Sequence, residues 1–420
     1  MKILFVIKNY YPYDDGSSNC VKSIAEQLSS SGKEVHILSM KYDFNISDEE
    51  IYSNIKIHRM LDKCEIPISD LFINIETSNR IIKITKKIQI ILLKSLRRIE
   101  YKFNKNTILY YERKITTNKI KELNKKYKFD VIISVSQPFF TSVSTFKAVK
   151  KNKTKFIIYQ LDPYSNNLEF KKKYKNNRLK VEKKVFSRAD KIIVTDLIYS
   201  ENLQGELKSY SNKMRVLKFP LIKEKIKEVA KDDIILSNDY INCAFIGCLY
   251  QDIRNPYYLL ELFKNMSFKK IRLIIVGSGM EEMLEEYKKV LKDRLEIYKK
   301  VSQKAAFNVM LNADILINLG NTVSNQMPSK ILDYISTGKP IINLYKIDNC
   351  PTLEYTKDYE LALNIKEGQE INKELINKIE KFCNINRKRI IDFKEINNKY
   401  IKCTPEYVSK QFMEILKENE

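Results

Sequence analysis

The residues with the most chemistry to offer stand in one run, Met327 to Pro340, which reads MPSKILDYISTGKP. Pro328 and Ser329 suit the start of a helix, which places Lys330 near its positive end and Asp333 one turn later. An ammonium group and backbone amides attract phosphate; a carboxylate accepts hydrogen bonds from ribose hydroxyls. Two upstream turns offer related partners. In Gly247-Cys248-Leu249-Tyr250-Gln251-Asp252-Ile253-Arg254 the glycine permits close backbone approach, and Arg254 presents a guanidinium fork that matches a diphosphate. Gly277 and Gly279 precede another helix whose amides can face an anion, although a plain turn explains the pair equally well. On the amino-terminal side the candidates are Gly16, within Asp14–Ser18, and Asp162, in the turn YQLDP. Helix capping and turn formation are the simpler roles of the aspartates there.

Such groups work only if an alternating scaffold holds them. Ile3–Ile7 is an unbroken β-branched and aromatic run, as expected of a parallel strand covered on both faces. Val21, Ile24, Ala25 and Leu28 then recur at helical spacing, Gly32 ends the helix, and Glu34–Ser39 supplies the next strand. The alternation returns at Val131–Val135, Phe156–Tyr159, Ile192–Thr195 and Val216–Leu217. After Pro220 a charged, poorly patterned stretch to Asp239 reads as a linker. A second series then follows: Cys243–Gly247, Leu273–Val276, Leu295–Tyr298, Ile315–Leu319 and Ile341–Leu344, with helices at about 256–264, 280–290, 304–313 and 329–336. Two doubly wound α/β domains satisfy this pattern, and ligands of such sheets bind at the carboxyl ends of the strands.

The Pro328–Pro340 segment resembles the retaining GT-B glycosyltransferases of the group 1 (family 4) kind, in the branch that reads P-S-K-x-x-(E/D)-Y-x-x-x-G-K-P. KILFVIKNYYP, FIGCLYQDIRNP, LIIVGSG, ADILINL and TPEYV extend the resemblance along the chain. It implies two Rossmann-like domains facing across a cleft: an acceptor-side domain over 1–219 with a basic helical insertion at about 76–128, a nucleotide-sugar domain over 220–400, and a final helix, 401–420, returning to the first. It implies donor contacts at Gly16, Gly247, Tyr250, Arg254, Gly277, Gly279, Asn325, Ser329, Lys330 and Asp333. Arg254 and Lys330 would stabilise the departing nucleoside diphosphate, and Asp162 lies in a loop where relatives carry a catalytic group.

Three positions depart from the family pattern: the His that many relatives carry before the aspartate matching Asp162 is missing, and two more departures lie in the second half. Asn325 stands where relatives usually carry a carboxylate, eight residues before Asp333, and Cys248 stands where they carry an arginine. The implied reaction is sugar transfer from a UDP- or GDP-sugar to a growing, lipid-linked bacterial surface glycan such as capsule or O-antigen, without metal or cofactor. Two other readings remain open: a degenerate GT-B scaffold that binds nucleic acid or a membrane surface as an adaptor, and a nucleotide-sugar 2-epimerase, which the scarcity of histidine disfavours.

Composition narrows the setting. Seven cysteines, an odd number without CxxC spacing, suggest neither a disulfide framework nor a zinc site and point to a reducing compartment. Met1 leads straight into a strand, so the expectation is a cytoplasmic protein, peripheral at most on the inner face of the cell membrane. The net charge is +23, and residues 80–128 alone hold 16 Lys or Arg against 3 Glu and no Asp. Within 79–99, Ile81, Ile84, Ile88, Ile91, Leu92 and Ile99 fall near one face, with Lys83, Lys87, Lys94 and Arg98 displaced from it. Either that apolar face packs on the first domain and leaves a solvated basic side, or the helix lies on an anionic membrane. Nucleic acid is not the expected partner.

Overall fold

The computed structural model describes residues 1–63, 80–103, 108–150, 153–168, 170–225, 230, 232–299 and 301–418. Parts of the expected basic insertion and of the linker, together with Cys64, lie outside these residues. The chain divides into two compact units, one of Met1–Pro220 with Pro405–Glu420 and one of Leu221–Thr404.

The strands of the first unit are β1 (Lys2–Val6), β2 (Glu34–Lys41), β3 (Glu49–Tyr52), β4 (Ile55–Leu61), β5 (Val131–Ser136), β6 (Lys155–Gln160), β7 (Lys191–Val194) and β8 (Met214–Val216). They form one sheet in the order β3-β4-β2-β1-β5-β6-β7-β8, parallel throughout except for the antiparallel β3–β4 pair. Its helices are α1 (Gly16–Ser30), α2 (Arg80–Phe103), α3 (Tyr110–Tyr127), α4 (Phe140–Val149), α5 (Lys175–Arg188) and α6 (Asp196–Gln204). Apart from Lys2 and Lys155 at their starts, β1, β5 and β6 are buried, which is why they read as largely apolar runs.

The second unit has β9 (Ile241–Ile246), β10 (Ile271–Val276), β11 (Leu295–Tyr298), β12 (Ile315–Leu319), β13 (Ile341–Tyr345) and β14 (Ala362–Lys366), all parallel, in the order β11-β10-β9-β12-β13-β14. Helices α7 (Tyr257–Asn265), α8 (Glu281–Leu291), α9 (Gln303–Asn312), α10 (Lys330–Ser336), α11 (Leu353–Thr356), α12 (Lys373–Asn386) and α13 (Phe393–Lys399) connect and follow them. Strand order reverses between β9 and β12, so the loops leaving these neighbours diverge to opposite sides and open a crevice at their carboxyl ends.

The last helix, α14 (Pro405–Lys417), belongs to the first unit. The Lys155 ammonium donates to the carbonyls of Leu416 and Glu418 at 2.6 and 2.9 Å, meeting groups that a helix end leaves without intrahelical partners. Phe412 packs against Phe5, with ring centroids 5.9 Å apart.

One expectation is overturned in part. The face of α2 that carries Ile84, Ile88, Ile91, Leu92 and Ile99 does not pack on the domain, because these side chains are about half exposed. The helix is fastened by its other side, through Ile90 and Arg97.

Candidate active site

The loops at the reversal point of the second sheet carry most of the residues singled out in the sequence. Beyond β9 and β10 the ladder continues into the turns: Gly247 N–H donates to Val276 O at 2.9 Å and Leu249 N–H to Ser278 O at 2.9 Å. Gly277 and Gly279, at φ +150° and +100°, are glycines because these turns touch backbone to backbone. A Cβ on Gly277 would collide with the Gly247 carbonyl, and one on Gly279 with that of Leu249. The amides at this turn are not all free to meet a ligand, since Glu281 Oε1 accepts from Gly279 N–H at 2.8 Å.

Tyr250 and Arg254 close a small hairpin, each amide donating to the other's carbonyl at 3.1 and 3.0 Å. This aims Arg254 across to the loop after β12, where its Nε and Nη2 donate to Asn321 Oδ1 at 3.2 and 2.9 Å. Asn321 is buried and is itself held by its own Nδ2, which donates to Gln326 O at 3.1 Å. Arg254 Nη1 also donates to Cys248 O at 3.4 Å, so the guanidinium is held from both loops and its plane keeps a fixed direction. Asn325 lies half-buried in the same loop.

Ser329 stands at the N-cap of α10 without capping through its side chain, and Lys330 opens the helix. At seven residues, α10 is too short for its dipole to rival the charges around it. Those charges form a cluster. Asp333 is buried; Lys225 Nζ lies 2.7 Å from its Oδ1 and Lys330 Nζ 3.5 Å from its Oδ2. Both ammonium groups also stand over the ring of Phe307 from α9, at 5.3 and 4.9 Å from its centroid. Burial raises the Asp333 carboxyl, but Lys225 and Lys330 together outweigh it and hold it below its ordinary range. The carboxylate is ionised, and the site carries a surplus of positive charge. Tyr334 fastens α10 to β9, because its hydroxyl accepts from Ile246 N–H at 2.9 Å and lies 3.2 Å from Ile246 O.

At the ends of β13 and β14, Lys346 Nζ lies 3.8 Å from Glu367 Oε2 and donates to Asn255 O at 3.3 Å. Burial pushes the Glu367 carboxyl up to about 7, against the opposing effect of Lys346, and also pushes the Lys346 ammonium down.

Gly16 and Asp162 belong to the first unit. Gly16 is the first residue of α1 rather than a loop glycine, and Asp15 makes the cap: its Oδ1 accepts from Ser18 N–H at 2.8 Å and Ser18 Oγ accepts from Asp15 N–H at 2.6 Å. Asp162 follows β6, two residues beyond Gln160. His36 and His58 are buried against each other, with Nδ1 and Nε2 2.9 Å apart, and sit 3.1 and 3.2 Å from Glu34 and Glu49. Among the described residues no three of His, Cys, Asp and Glu are placed to hold a metal ion.

Lys225, Phe307, Asn321 and the Lys346–Glu367 pair were not among the sequence candidates. Lys225 falls in the stretch taken for a linker, and only Asn321, the second residue after an apolar strand at the reversal point, carried a positional signal.

Residues 241–381, about a third of the chain, match the family model described as Glycosyl transferases group 1. No curated protein matches. Among solved structures, the chain is similar to sucrose-phosphate synthase from Thermosynechococcus elongatus (TM-score 0.61, 14% identity, 99% of this chain and 98% of that one). It is similar also to a glycosyltransferase from Rickettsia africae (0.60, 16%, 100% and 99%) and to HepE from Anabaena in complex with UDP-glucose (0.61, 13%, 99% and 99%). At these identities the likeness is one of fold, and the fold is GT-B.

Proposed function

We propose that this protein is a glycosyltransferase that takes a sugar from a UDP- or GDP-sugar held by its second unit and passes it, with retention, to a growing lipid-linked surface glycan. The observation that carries this reading is that Arg254, on the turn after β9, and Lys330 and Asp333, on helix α10 after β12, all follow the two strands at the reversal point of a sheet whose residues 241–381 match the group 1 model. Arg254 and Lys330 meet the diphosphate, where negative charge grows as the glycosidic bond breaks, and need no metal to do so. Asp333 accepts from the ribose hydroxyls. HepE was solved with UDP-glucose, and other similar structures are described as a lipopolysaccharide outer core galactosyltransferase, WaaB, and as WaaG, involved in lipopolysaccharide biosynthesis. These support a nucleotide-sugar donor and a surface glycan acceptor.

The test is calorimetric titration of UDP, GDP and their sugars into the full chain, followed by transfer assays with the donor that binds, with and without EDTA. Binding of one nucleotide family and EDTA-resistant transfer are expected. Absence of any nucleotide binding would replace the reading with that of a scaffold without chemistry.

A further inference from the structure

Helix α2 is held to the first unit along one side. Ile90 is buried with Phe44 and Leu61 packed against it, and one heptad later Arg97 Nη2 donates to Glu112 Oε1 at 2.9 Å. Glu100 turns inward as well, accepting from Tyr110 N–H at 2.7 Å. At 100° per residue the opposite side carries Ile84, Ile88, Ile91, Leu92, Leu96 and Ile99, six large apolar side chains between 49% and 60% exposed. A continuous stripe of this size, presented to solvent by a helix that is anchored from behind, is an interaction surface rather than a scatter of exposed residues. Lys94 and Arg98 follow one edge of it, and the sequence repeats the same spacing earlier at Lys83 and Lys87.

The charges select the occupant. Residues 80–103 contain eight Lys or Arg and a single acid, Glu100, which is already engaged. A second copy of this chain would set two cationic rows against each other, whereas an anionic surface neutralises them while accepting the apolar stripe. Among the described residues no helix is long and apolar enough to cross a membrane, so the contact is with one leaflet. We infer that α2 docks this protein on an anionic lipid bilayer, with Ile84, Ile88, Ile91, Leu92, Leu96 and Ile99 entering the headgroup boundary and Lys94 and Arg98 at the lipid phosphates. The inference does not depend on the transferase reading; joined to it, it names the surface from which a lipid-linked acceptor is reached.

The chain contains no tryptophan, which gives the experiment a clean signal. Leu96→Trp is mixed with phosphatidylcholine vesicles with and without phosphatidylglycerol. A blue shift of its emission with the anionic vesicles alone, reversed by salt, is expected. Leu92→Gln with Leu96→Gln should weaken cosedimentation with anionic vesicles about tenfold or more while leaving the melting temperature unchanged, because both side chains are already half exposed. Emission that stays unshifted with the anionic vesicles overturns the inference. So does cosedimentation that is lost on Lys94→Gln with Arg98→Gln but indifferent to the leucine substitutions, which would mean charge attraction without insertion. A dimer in solution that the leucine substitutions dissolve, with no vesicle binding, would give the stripe to a second copy instead.

Discussion

Lys225 Nζ lies 2.7 Å from Oδ1 of Asp333, and both side chains are more than nine-tenths buried. The carboxylate proposed to receive ribose hydroxyls is thus met on one oxygen by Lys225 and on the other by Lys330. Removing one partner of a buried pair leaves the other charge uncompensated, at a cost on the order of 3 kcal/mol, less whatever Lys330 recovers by closing on the carboxylate. Ribose hydroxyls, however, must displace Lys225 to reach Oδ1. Lys225→Ala should therefore lower the melting temperature of the unliganded protein while binding UDP at least as tightly as wild type, whereas Asp333→Asn should weaken binding. Calorimetry on the two variants checks this. A tenfold weaker affinity in Lys225→Ala would make Lys225 a phosphate ligand rather than a competitor.

Arg254 is directed by Asn321, so its contribution should depend on that anchor. Arg254→Lys keeps the charge but loses the fork, and transfer should fall on the order of tenfold or more. Asn321→Ala should produce part of the same loss with Arg254 intact. If steady-state kinetics show Arg254→Lys unimpaired, the guanidinium is only bracing the two loops.

Glu367 supplies a pH dependence whose sign follows from burial. Its carboxyl is raised from 4.5 to about 7, so the folded chain holds a proton that the unfolded chain releases earlier. The associated stability is fully present below pH 4.5 and is lost as pH rises through about 7. Glu367→Gln should flatten that fall, gaining on the order of 3 kcal/mol over wild type at pH 8 and little at pH 4.5. Urea unfolding at the two pH values measures it, and an equal effect at both would show that folding does not raise this carboxyl.

How much could be read beforehand followed from burial on two faces. The strands β9, β10, β12 and β13 are covered on both sides and announce themselves as largely apolar runs, rich in Ile, Leu and Val in β10, β12 and β13 and reading CAFI in β9. By contrast β3 and β4 hide their pairing in charges: Arg59 Nη2 meets Glu50 Oε2 at 2.7 Å and His58 Nδ1 meets Glu49 Oε1 at 3.2 Å. The sequence EEIYSNIKIHRML contains no unbroken apolar run, and only the antiparallel register brings Glu49 and Glu50 to His58 and Arg59. The motif Lys330–Asp333 was legible because both residues share one helix. Lys225 was not, since it reaches Asp333 from 108 positions away. Likewise, the exposed direction of the α2 stripe could not be told from helical spacing, which gives the face but not what lies behind it.

The glycine turns provide the last prediction, which separates two reasons for having no side chain. At Gly277 the backbone has φ +150° and a Cβ would strike the Gly247 carbonyl, so alanine there must push β10's turn away from β9's. At Gly368 the backbone also has a positive φ, +88°, but nothing lies within 4 Å of an added Cβ. Gly368→Ala should therefore cost only its backbone strain, roughly 1–2 kcal/mol. Gly277→Ala should cost more in stability, and because the displaced Gly247 turn leads into the hairpin that carries Arg254, it should also weaken UDP binding. Thermal melting and calorimetry on both variants decide the matter. If Gly277→Ala melts no lower than Gly368→Ala yet loses UDP, the glycine serves close approach of the nucleotide and not the contact between turns.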